Sequence, residues 1–346
     1  MREIKITAND AGRRLDRFLR KYLRNASLGE IYKIIRKDVK VNGKRRDEAY
    51  MLQEDEVLTL YLSDEVLKKF IGDQTHAKSR GKAKRQFGIV YEDANILIAD
   101  KPFGLLTHGD SNEKKNHLAN QVKDYLIEKG EYDPRNERVF SPAPANRIDR
   151  NTTGLVLFGK TAAALKGLNR IIREDLVSKY YMTIVSGRLE SERVLEGTLV
   201  KDARSNKVTI DPRGAENELY IKTIVRPKEH LSISDGHDRS FDATLVEVEL
   251  VTGRSHQIRA HLASIGHPII GDSKYAVRSS RELNQLLLRK YDLSTQLLHA
   301  YRLEFASDLS NIPELEYLAG HSYTAKLPDR FTSILKKTGS SSFAAE

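Results

Sequence analysis

The chain has 346 residues, of which 39% are hydrophobic and 31% charged, and its formal net charge is +10. It contains no cysteine, which excludes a disulfide framework, a thiolate metal site and a cysteine nucleophile. No apolar stretch approaches the roughly 18 residues of a membrane span, and the first residues lack the apolar core of a signal peptide. We therefore expect a cytoplasmic protein without a membrane partner, and the length favours two domains.

The positive charge is concentrated at the beginning of the chain. Residues 1–62 carry 15 Lys and Arg against 10 Asp and Glu, and residues 63–88 carry 7 against 3. Nine of the ten excess positive charges therefore precede residue 89. A basic module joined to a nearly neutral body is typical of a polyanion-binding appendage beside a separate working domain. A merely soluble basic surface would spread the charge more evenly.

Residues 1–62 are predicted to form two short basic helices followed by small strands. Apolar residues between Leu15 and Leu23 recur at helical spacing among arginines, and Ser27 with Glu30 predicts a capping box for a second helix. The Asn42-Gly43 pair indicates a hairpin turn. The stretches "GRRLDRFLRKYL", "IRKDVKVNGKR" and "EDEVLTL" resemble the alpha-L RNA-binding domain. A solvated amphipathic helix pair is the alternative. The resemblance implies that phosphates are contacted by Arg13, Arg14, Arg17, Arg36, Lys44 and Arg45.

The rest of the chain divides into three parts. Residues 63–86 are charged and poor in apolar side chains, which predicts a basic flexible linker. Residues 87–330 form the second domain, and the small polar residues of 331–346 predict a disordered tail. Residues 227–240 are expected to form an exposed loop between strands.

Strands dominate the second domain. Buried or alternating apolar patterns predict strands at 96–99, 155–158 and 244–250 and near residue 300, and a helix from about Ser255. The helices are interspersed without a βαβ rhythm. We therefore predict an α+β fold with a mixed, largely antiparallel sheet.

A single acid stands between two arginines in "ANRIDRNTTG", directly ahead of a predicted strand. Asp149 is flanked by Arg147 and Arg150. A surface ion pair is the simplest interpretation. Other polar stretches follow in the same domain: "KYY" on a predicted strand, "TGRSHQIRAH" continuing into "GHPIIGDSKY", and "LHA". On the first of these strands, Tyr180 and Tyr181 must point to opposite faces.

Taken in order, these stretches resemble the motifs of the RluA-type pseudouridine synthases, which convert uridine in RNA to its carbon-linked isomer. The resemblance spans residues 87–330. In the first motif Asn146 replaces the family's usual histidine, Ile148 a leucine and Thr153 a serine. The resemblance implies that Asp149, Tyr181 and Arg259 are catalytic. It also implies that the substrate is bound by Arg147, Arg150, Arg254, His256 and Gln257.

The same resemblance implies a mechanism. Asp149 would act as nucleophile or as a base on the sugar, and Arg259 would keep it ionised. Tyr181 would lie against the uracil and assist deprotonation at its ring carbon, whereas Tyr180 would serve packing. The target nucleotide would be flipped out of the folded RNA. Because nothing is oxidised and no group is acquired, neither a cofactor nor a metal is expected.

Several alternatives remain at this stage. Family members with this front module chiefly modify large-subunit (23S) ribosomal RNA, which is the expected partner; transfer RNA is the second candidate. A non-catalytic RNA-binding ribosome-assembly factor is a third. A glycoside hydrolase would need two carboxylates, and the nearest second acid, Asp272, is interpreted as a turn former. The spacing of His256, His261, His267 and His299 does not favour a zinc site. A monomer is expected.

Overall fold

The computed structural model describes residues 1–71, 85–137, 139–202, 207–211, 219–338 and 340. Its first unit has a three-stranded antiparallel sheet with strand order β1-β3-β2. Its elements are β1 (Arg2–Lys5), α1 (Leu15–Tyr22), α2 (Leu28–Asp38), β2 (Val39–Val41), β3 (Val57–Leu60) and α3 (Asp64–Ile71).

The two basic helices begin where the sequence predicts them. The capping box of α2 is confirmed: Ser27 Oγ accepts from the Glu30 backbone N–H at 3.3 Å, and Glu30 Oε2 accepts from the Ser27 N–H at 2.7 Å. The Asn42-Gly43 turn is also present, with positive φ at both residues. The apolar stripes of α1 and α2 pack into one core against the sheet.

The prediction of a flexible linker from residue 63 is wrong for its first part. Residues 64–71 form α3, whose Leu67 and Phe70 are buried in the core of the first unit. These two side chains are three positions apart, so they lie on one face of the helix, and their burial stabilises it. Residues 72–84 of the predicted linker lie outside the described residues.

The second unit is built on a large mixed sheet. Its strands are β4 (Gly88–Glu92), β5 (Ile96–Lys101), β6 (Ala143–Pro144), β7 (Thr153–Gly159), β8 (Val177–Ser186), β9 (Arg193–Asp202), β10 (Lys207–Asp211), β11 (Leu219–Ser234), β12 (Ser240–Leu250), β13 (Leu298–Phe305) and β14 (Ser322–Thr324). Its helices are α4 (Leu118–Glu128), α5 (Ala162–Arg173), α6 (Gln257–Ser264), α7 (Arg281–Tyr291) and α8 (Asp329–Lys337).

The main path of this sheet runs β10-β9-β11-β12-β8-β13-β7-β5-β4, with β14 beside β13 and β6 beside β7. Among the described strands, the β13–β7 pair is parallel and the other pairs are antiparallel. The predicted α+β fold with a largely antiparallel sheet is therefore confirmed. The registers place Thr153, the first residue of β7, level with Glu247 of β12 through His299 and Met182, so β7 begins at nearly the level where β12 ends.

The central strands are apolar on both faces. Leu97 and Val156 pack in the cluster that contains α4, whereas Ile98 and Leu157 pack in the cluster that contains α5. Successive strand side chains point to opposite faces, so a strand covered on both sides needs a continuous apolar run. This burial explains the apolar runs seen in the sequence.

Two further expectations are corrected. Residues 227–234 are not a loop but the second half of β11, where Leu231 and Ile233 are buried. Residues 331–337 are not disordered, because Phe331 and Ile334 anchor α8 in the core. Among the described residues, none of the helices combines the length and apolar composition needed to cross a bilayer.

The two units contact each other through the loop before α1. Asn9 Oδ1 accepts from the Ala162 backbone N–H at the start of α5, at 2.8 Å. Asn9 Nδ2 donates to Glu137 Oε2 at 2.6 Å. Val139 of the second unit packs into the core of the first. One side chain of the basic unit is thus hydrogen-bonded to two segments of the other.

Candidate active site

The loop between β6 and β7 presents Asp149 and is held from inside the fold. Thr107 Oγ1 donates to the Ile148 carbonyl at 2.9 Å and accepts from the Ile148 N–H at 3.3 Å. The Thr152 N–H donates to the Asp149 carbonyl at 3.1 Å. Asn146, which stands where the family has a histidine, accepts from the Leu157 N–H at 2.8 Å. Asn146 therefore ties the loop to β7.

A buried lysine braces the same loop. Lys101, at the end of β5, is fully buried, and its ammonium donates to the carbonyls of Leu105, Arg150 and Pro102 at 2.7, 2.9 and 3.0 Å. Burial lowers its pKa to about 7, while the nearby carboxylate of Asp149 acts in the opposite direction. Lys101 thus joins the residues after Asp149 to the loop that follows β5.

Arg259 of α6 bridges two carboxylates. Its Nε and Nη2 donate to the two oxygens of Asp272 at 2.7 and 2.9 Å, and its Nη1 lies 3.3 Å from Asp149 Oδ2. The Arg259 side chain is 8% exposed, that of Asp272 is 1% exposed and that of Asp149 is 30% exposed. Burial works against the guanidinium charge, but the two carboxylates outweigh it and raise the pKa of Arg259.

The two tyrosines of β8 face opposite ways. Tyr181 is buried and lines the same cavity as Asp149. Burial raises the pKa of its phenol, and the negative charge of Asp149 adds to the effect. Tyr180 lies under the guanidinium of Arg302, 4.0 Å from its ring centre. The alternation of strand side chains therefore gives one tyrosine to the cavity and the other to the opposite face.

Seven of the eight residues that the motifs assign to catalysis or substrate binding line one open cavity of about 100 Å³. The seven are Asp149, Tyr181, Arg259, Arg147, Arg254, His256 and Gln257. Arg150 lines a neighbouring depression instead, and its guanidinium lies 3.6 Å from Asp110.

The polar residues of this cavity differ in how free they are to meet a ligand. Arg147 and Arg254 are exposed. Gln257 is buried, and its amide nitrogen donates to the Lys222 carbonyl and to Thr223 Oγ1, both at 2.9 Å. Its amide oxygen accepts from the Thr252 hydroxyl and the Arg254 N–H at 2.9 and 3.1 Å. Gln257 therefore holds the turn between β12 and α6.

The six basic residues assigned to RNA binding in the first unit also differ. Arg13 is half-buried beside Asp10, whose pKa is raised by burial and lowered in part by Arg13. Arg14 donates two hydrogen bonds to Asp16 at 3.1 and 2.9 Å. The Arg14 guanidinium is thus paired within the fold, whereas the buried Arg13 Nε has no hydrogen-bond partner among the described residues. The four exposed members are Arg17, Arg36, Lys44 and Arg45.

The late histidines do not converge on one point. Each contacts a different oxygen at 2.8–3.0 Å: Tyr275 OH for His256, Thr223 Oγ1 for His261, the Ser186 carbonyl for His267 and Thr153 Oγ1 for His299. Across the residues that the structure describes, no group of three histidine or acidic side chains is arranged to hold a metal ion.

Sequence reasoning missed three residues of the site. Lys101 lies two residues beyond the strand predicted at 96–99 and has no predicted role, and Asp272 is predicted only as a turn former. Asp272 does form the turn, since its Oδ1 accepts from the N–H groups of Lys274 and Tyr275 at 3.1 and 3.2 Å, but it also pairs with Arg259. Tyr275 was not assigned a role. Tyr275 ends the motif stretch "GHPIIGDSKY", and this position could have indicated a role in the site.

Comparison with known proteins agrees with this geometry. The sequence pattern of the family described as RNA pseudouridylate synthase matches residues 95–264. "Ribosomal large subunit pseudouridine synthase C" of Vibrio cholerae is 30% identical over 315 residues, 89% of each chain. The protein of the same name from Vibrio vulnificus is 31% identical over 90% of each chain. The solved structure of human RNA pseudouridylate synthase domain containing 4 covers 73% of this chain and 93% of its own, with a TM-score of 0.53 and 22% identity.

The fold and the motif-bearing cleft thus define an RNA-modifying isomerase. The chain belongs to the RNA pseudouridine synthase family, and the resemblance to its RluA-type members is confirmed. Proteins of this family act on RNA and convert uridine to pseudouridine.

Proposed function

We propose that this enzyme isomerises uridines of large-subunit ribosomal RNA and that Asp149 is its catalytic carboxylate. The observation that carries the second part is the contact of Asp149 with Arg259 inside an open cavity. The printed names of the Vibrio relatives, which match along about nine-tenths of the chain, support the first part. Transfer RNA remains the second candidate substrate.

The carboxylate needs to be ionised in order to attack the ribose or to remove its proton. An adjacent guanidinium favours the charged form of an acid. Arg259 cannot turn away from Asp149 without breaking two hydrogen bonds to Asp272. The site is therefore preorganised, and a charge that forms on the substrate meets groups already in place.

Tyr181 is proposed to contact the uracil face. Its raised pKa keeps the phenol protonated at neutral pH, so we expect it to act through its ring and its O–H. A role as the base at the ring carbon would require a proton loss that burial and Asp149 both disfavour. Stacking on an aromatic ring also offsets part of the few kcal/mol needed to flip a nucleotide out.

The exposed arginines of the cavity rim are proposed to bind phosphates next to the target nucleotide. Arg147 and Arg254 are exposed residues that line the cavity, and Arg150 is exposed in the neighbouring depression. We assign Gln257 a positioning role instead of direct substrate binding, because its amide is committed to four hydrogen bonds in the turn before α6.

The assay that tests this function uses purified enzyme and ribosomal RNA lacking modifications, with pseudouridine detected position by position. We expect product at one or a few uridines of the large-subunit RNA, with no added cofactor. Transfer RNA transcripts form the parallel arm, and product there alone would overturn the substrate assignment. The same preparation measured by light scattering tests the expected monomer.

One pair of variants tests the role of the acid. Asp149→Asn should bind RNA as the wild type does but form product at least about 1,000-fold more slowly. Asp110→Asn, which alters an exposed carboxylate beside Arg150, is the matched control and should remain active. Normal product formation by Asp149→Asn would refute the assignment.

A further inference from the structure

A chain of polar contacts runs from the edge of the sheet to Asp149. The backbone N–H of Val208, in β10, donates to Tyr275 OH at 3.0 Å. Tyr275 OH lies 3.0 Å from His256 Nδ1, with the two rings nearly perpendicular. On the far side of the imidazole, His256 Nε2 lies 3.8 Å from Asp149 Oδ2. His256 thus connects a tyrosine to the carboxylate.

The positions of the protons in this chain follow from chemistry. Tyr275 OH already accepts a hydrogen bond from Val208, so its own proton points elsewhere. A neutral imidazole nitrogen is a better acceptor than a phenol oxygen, and the Tyr275 O–H···His256 Nδ1 arrangement is therefore favoured. The other ring nitrogen, Nε2, must then carry the proton. A proton there also faces the negative Asp149 rather than placing a lone pair against it.

The backbone conformation of His256 is also typical of a functional residue. His256 has φ of 58°, in the left-handed region that non-glycine residues rarely adopt. Such a strained conformation persists only where the surrounding contacts hold the residue in place. It is found more often at functional sites than elsewhere. Burial lowers the pKa of the imidazole, an effect that Arg259 and Lys274 reinforce and that Asp149 and Asp272 oppose.

We propose that Tyr275 holds His256 as its Nε2–H tautomer and that His256 is a positioning residue for Asp149. Arg259 Nη1 and His256 Nε2 both approach Asp149 Oδ2. The pair fixes the orientation of the carboxylate and leaves Oδ1 as the oxygen that reacts. The catalytic part of this inference rests on the proposed role of Asp149, whereas the tautomer does not.

The tautomer is tested by long-range ¹H–¹⁵N spectra of the histidine side chains in the full-length wild-type protein. The spectrum of His256→Gln identifies the signals of His256. We expect a protonated Nε2 and an unprotonated, hydrogen-bonded Nδ1, and a shift of the Nδ1 resonance in Tyr275→Phe. A protonated Nδ1 in the wild type, or an unchanged Nδ1 resonance in Tyr275→Phe, would show that Tyr275 does not set the tautomer of His256.

The positioning role is tested by single-turnover rates on bound RNA. His256→Asn tolerates the left-handed backbone but is too short to reach Asp149, whereas His256→Gln can still present an N–H. We expect His256→Asn to lower the rate about 10- to 100-fold without weakening RNA binding, and His256→Gln to recover much of it. Equal losses in both variants, or a loss confined to RNA affinity, would contradict the role.

The failure of this inference can be told apart from failure of the proposed function. If Asp149 is not the catalytic acid, Asp149→Asn stays active whatever the histidine spectra show. If Asp149→Asn is inactive and the spectra show a protonated Nδ1, the proposed function stands, but the proposed tautomer of His256 is wrong.

Discussion

The guanidinium of Arg259 donates to both oxygens of Asp272, and this buried pair points the remaining nitrogen of Arg259 at Asp149. Asp272 therefore acts on Asp149 through Arg259. A bidentate pair fixes the plane of the guanidinium as well as its distance. The orientation of Arg259 depends on a residue that sequence reasoning set aside.

Asp272→Asn tests this dependence. Removal of one charge from a buried pair costs about 3–5 kcal/mol, and the asparagine still offers one acceptor, so we expect a loss near the lower end. Product formation should fall more than about tenfold, because Arg259 loses its fixed plane. Urea unfolding and single-turnover assays measure the two effects. Glu282→Gln breaks the exposed pair with Arg239 and should change stability by less than about 1 kcal/mol.

Lys101 gives a prediction about pH. Its pKa is lowered from 10.5 to about 7 in the folded protein. Between these values the unfolded chain binds more protons at this residue, so the stability of the fold should rise with pH, by at most roughly 1.4 kcal/mol per pH unit. Urea unfolding at pH 7 and pH 9 measures the rise in the wild type.

The matched variant for this prediction is Lys101→Met, which keeps the length of the side chain but cannot titrate. It leaves three carbonyls without their donor, so we expect it to be less stable at both pH values. Its stability should lack the part of the rise with pH that Lys101 supplies. Parallel pH dependences in the two proteins would show that Lys101 holds its proton throughout this range.

Structural features that depend on a few neighbouring residues could be predicted from the sequence. The capping box of Ser27 and Glu30, the turn at Asn42 and the strand that follows Asp149 each depend on a few neighbouring residues, and all are present. The motifs also led to the proximity of Asp149 and Arg259, which are 110 residues apart. This last success came from the resemblance and not from physical reasoning.

Other features depend on contacts between distant segments. Lys101 would be exposed in an isolated strand, and only the closure of three loop carbonyls around it makes a buried ammonium tolerable.

The predicted loop at 227–240 and the predicted disordered tail at 331–346 were avoidable errors. Leu231 and Ile233 alternate as strand residues do, and Phe331 and Ile334 have helical spacing. The many polar residues around them led to the wrong predictions.

The contact of Asn9 with the second unit gives a prediction about the arrangement of the two units. Asn9→Ala removes hydrogen bonds to Glu137 and to the Ala162 N–H, each worth about 1 kcal/mol. We expect the radius of gyration measured by small-angle scattering to increase, because the units separate more often. Asn25→Ala, which removes a hydrogen bond to Lys69 within the first unit, is the control and should leave the radius unchanged.

The exposed basic residues of the first unit give a prediction about how RNA affinity depends on salt concentration. If Arg17, Arg36, Lys44 and Arg45 each contact a phosphate, a variant with alanine at all four should bind ribosomal RNA more weakly. The slope of log affinity against log salt should also become shallower, by up to about 0.7–0.9 for each lost contact. Filter binding between low and physiological salt measures both quantities.

Arg14 supplies the comparison within the same unit. Its guanidinium is already paired with Asp16, so Arg14→Ala should change the salt slope much less than loss of an exposed arginine does. Because phosphate contacts give affinity without reading sequence, the fourfold variant should lose affinity for all RNAs by similar factors. It should still modify the same uridines, since the cavity around Asp149 is intact. A change in the modified position, with the salt slope unaltered, would show that the first unit selects the target instead of holding the RNA.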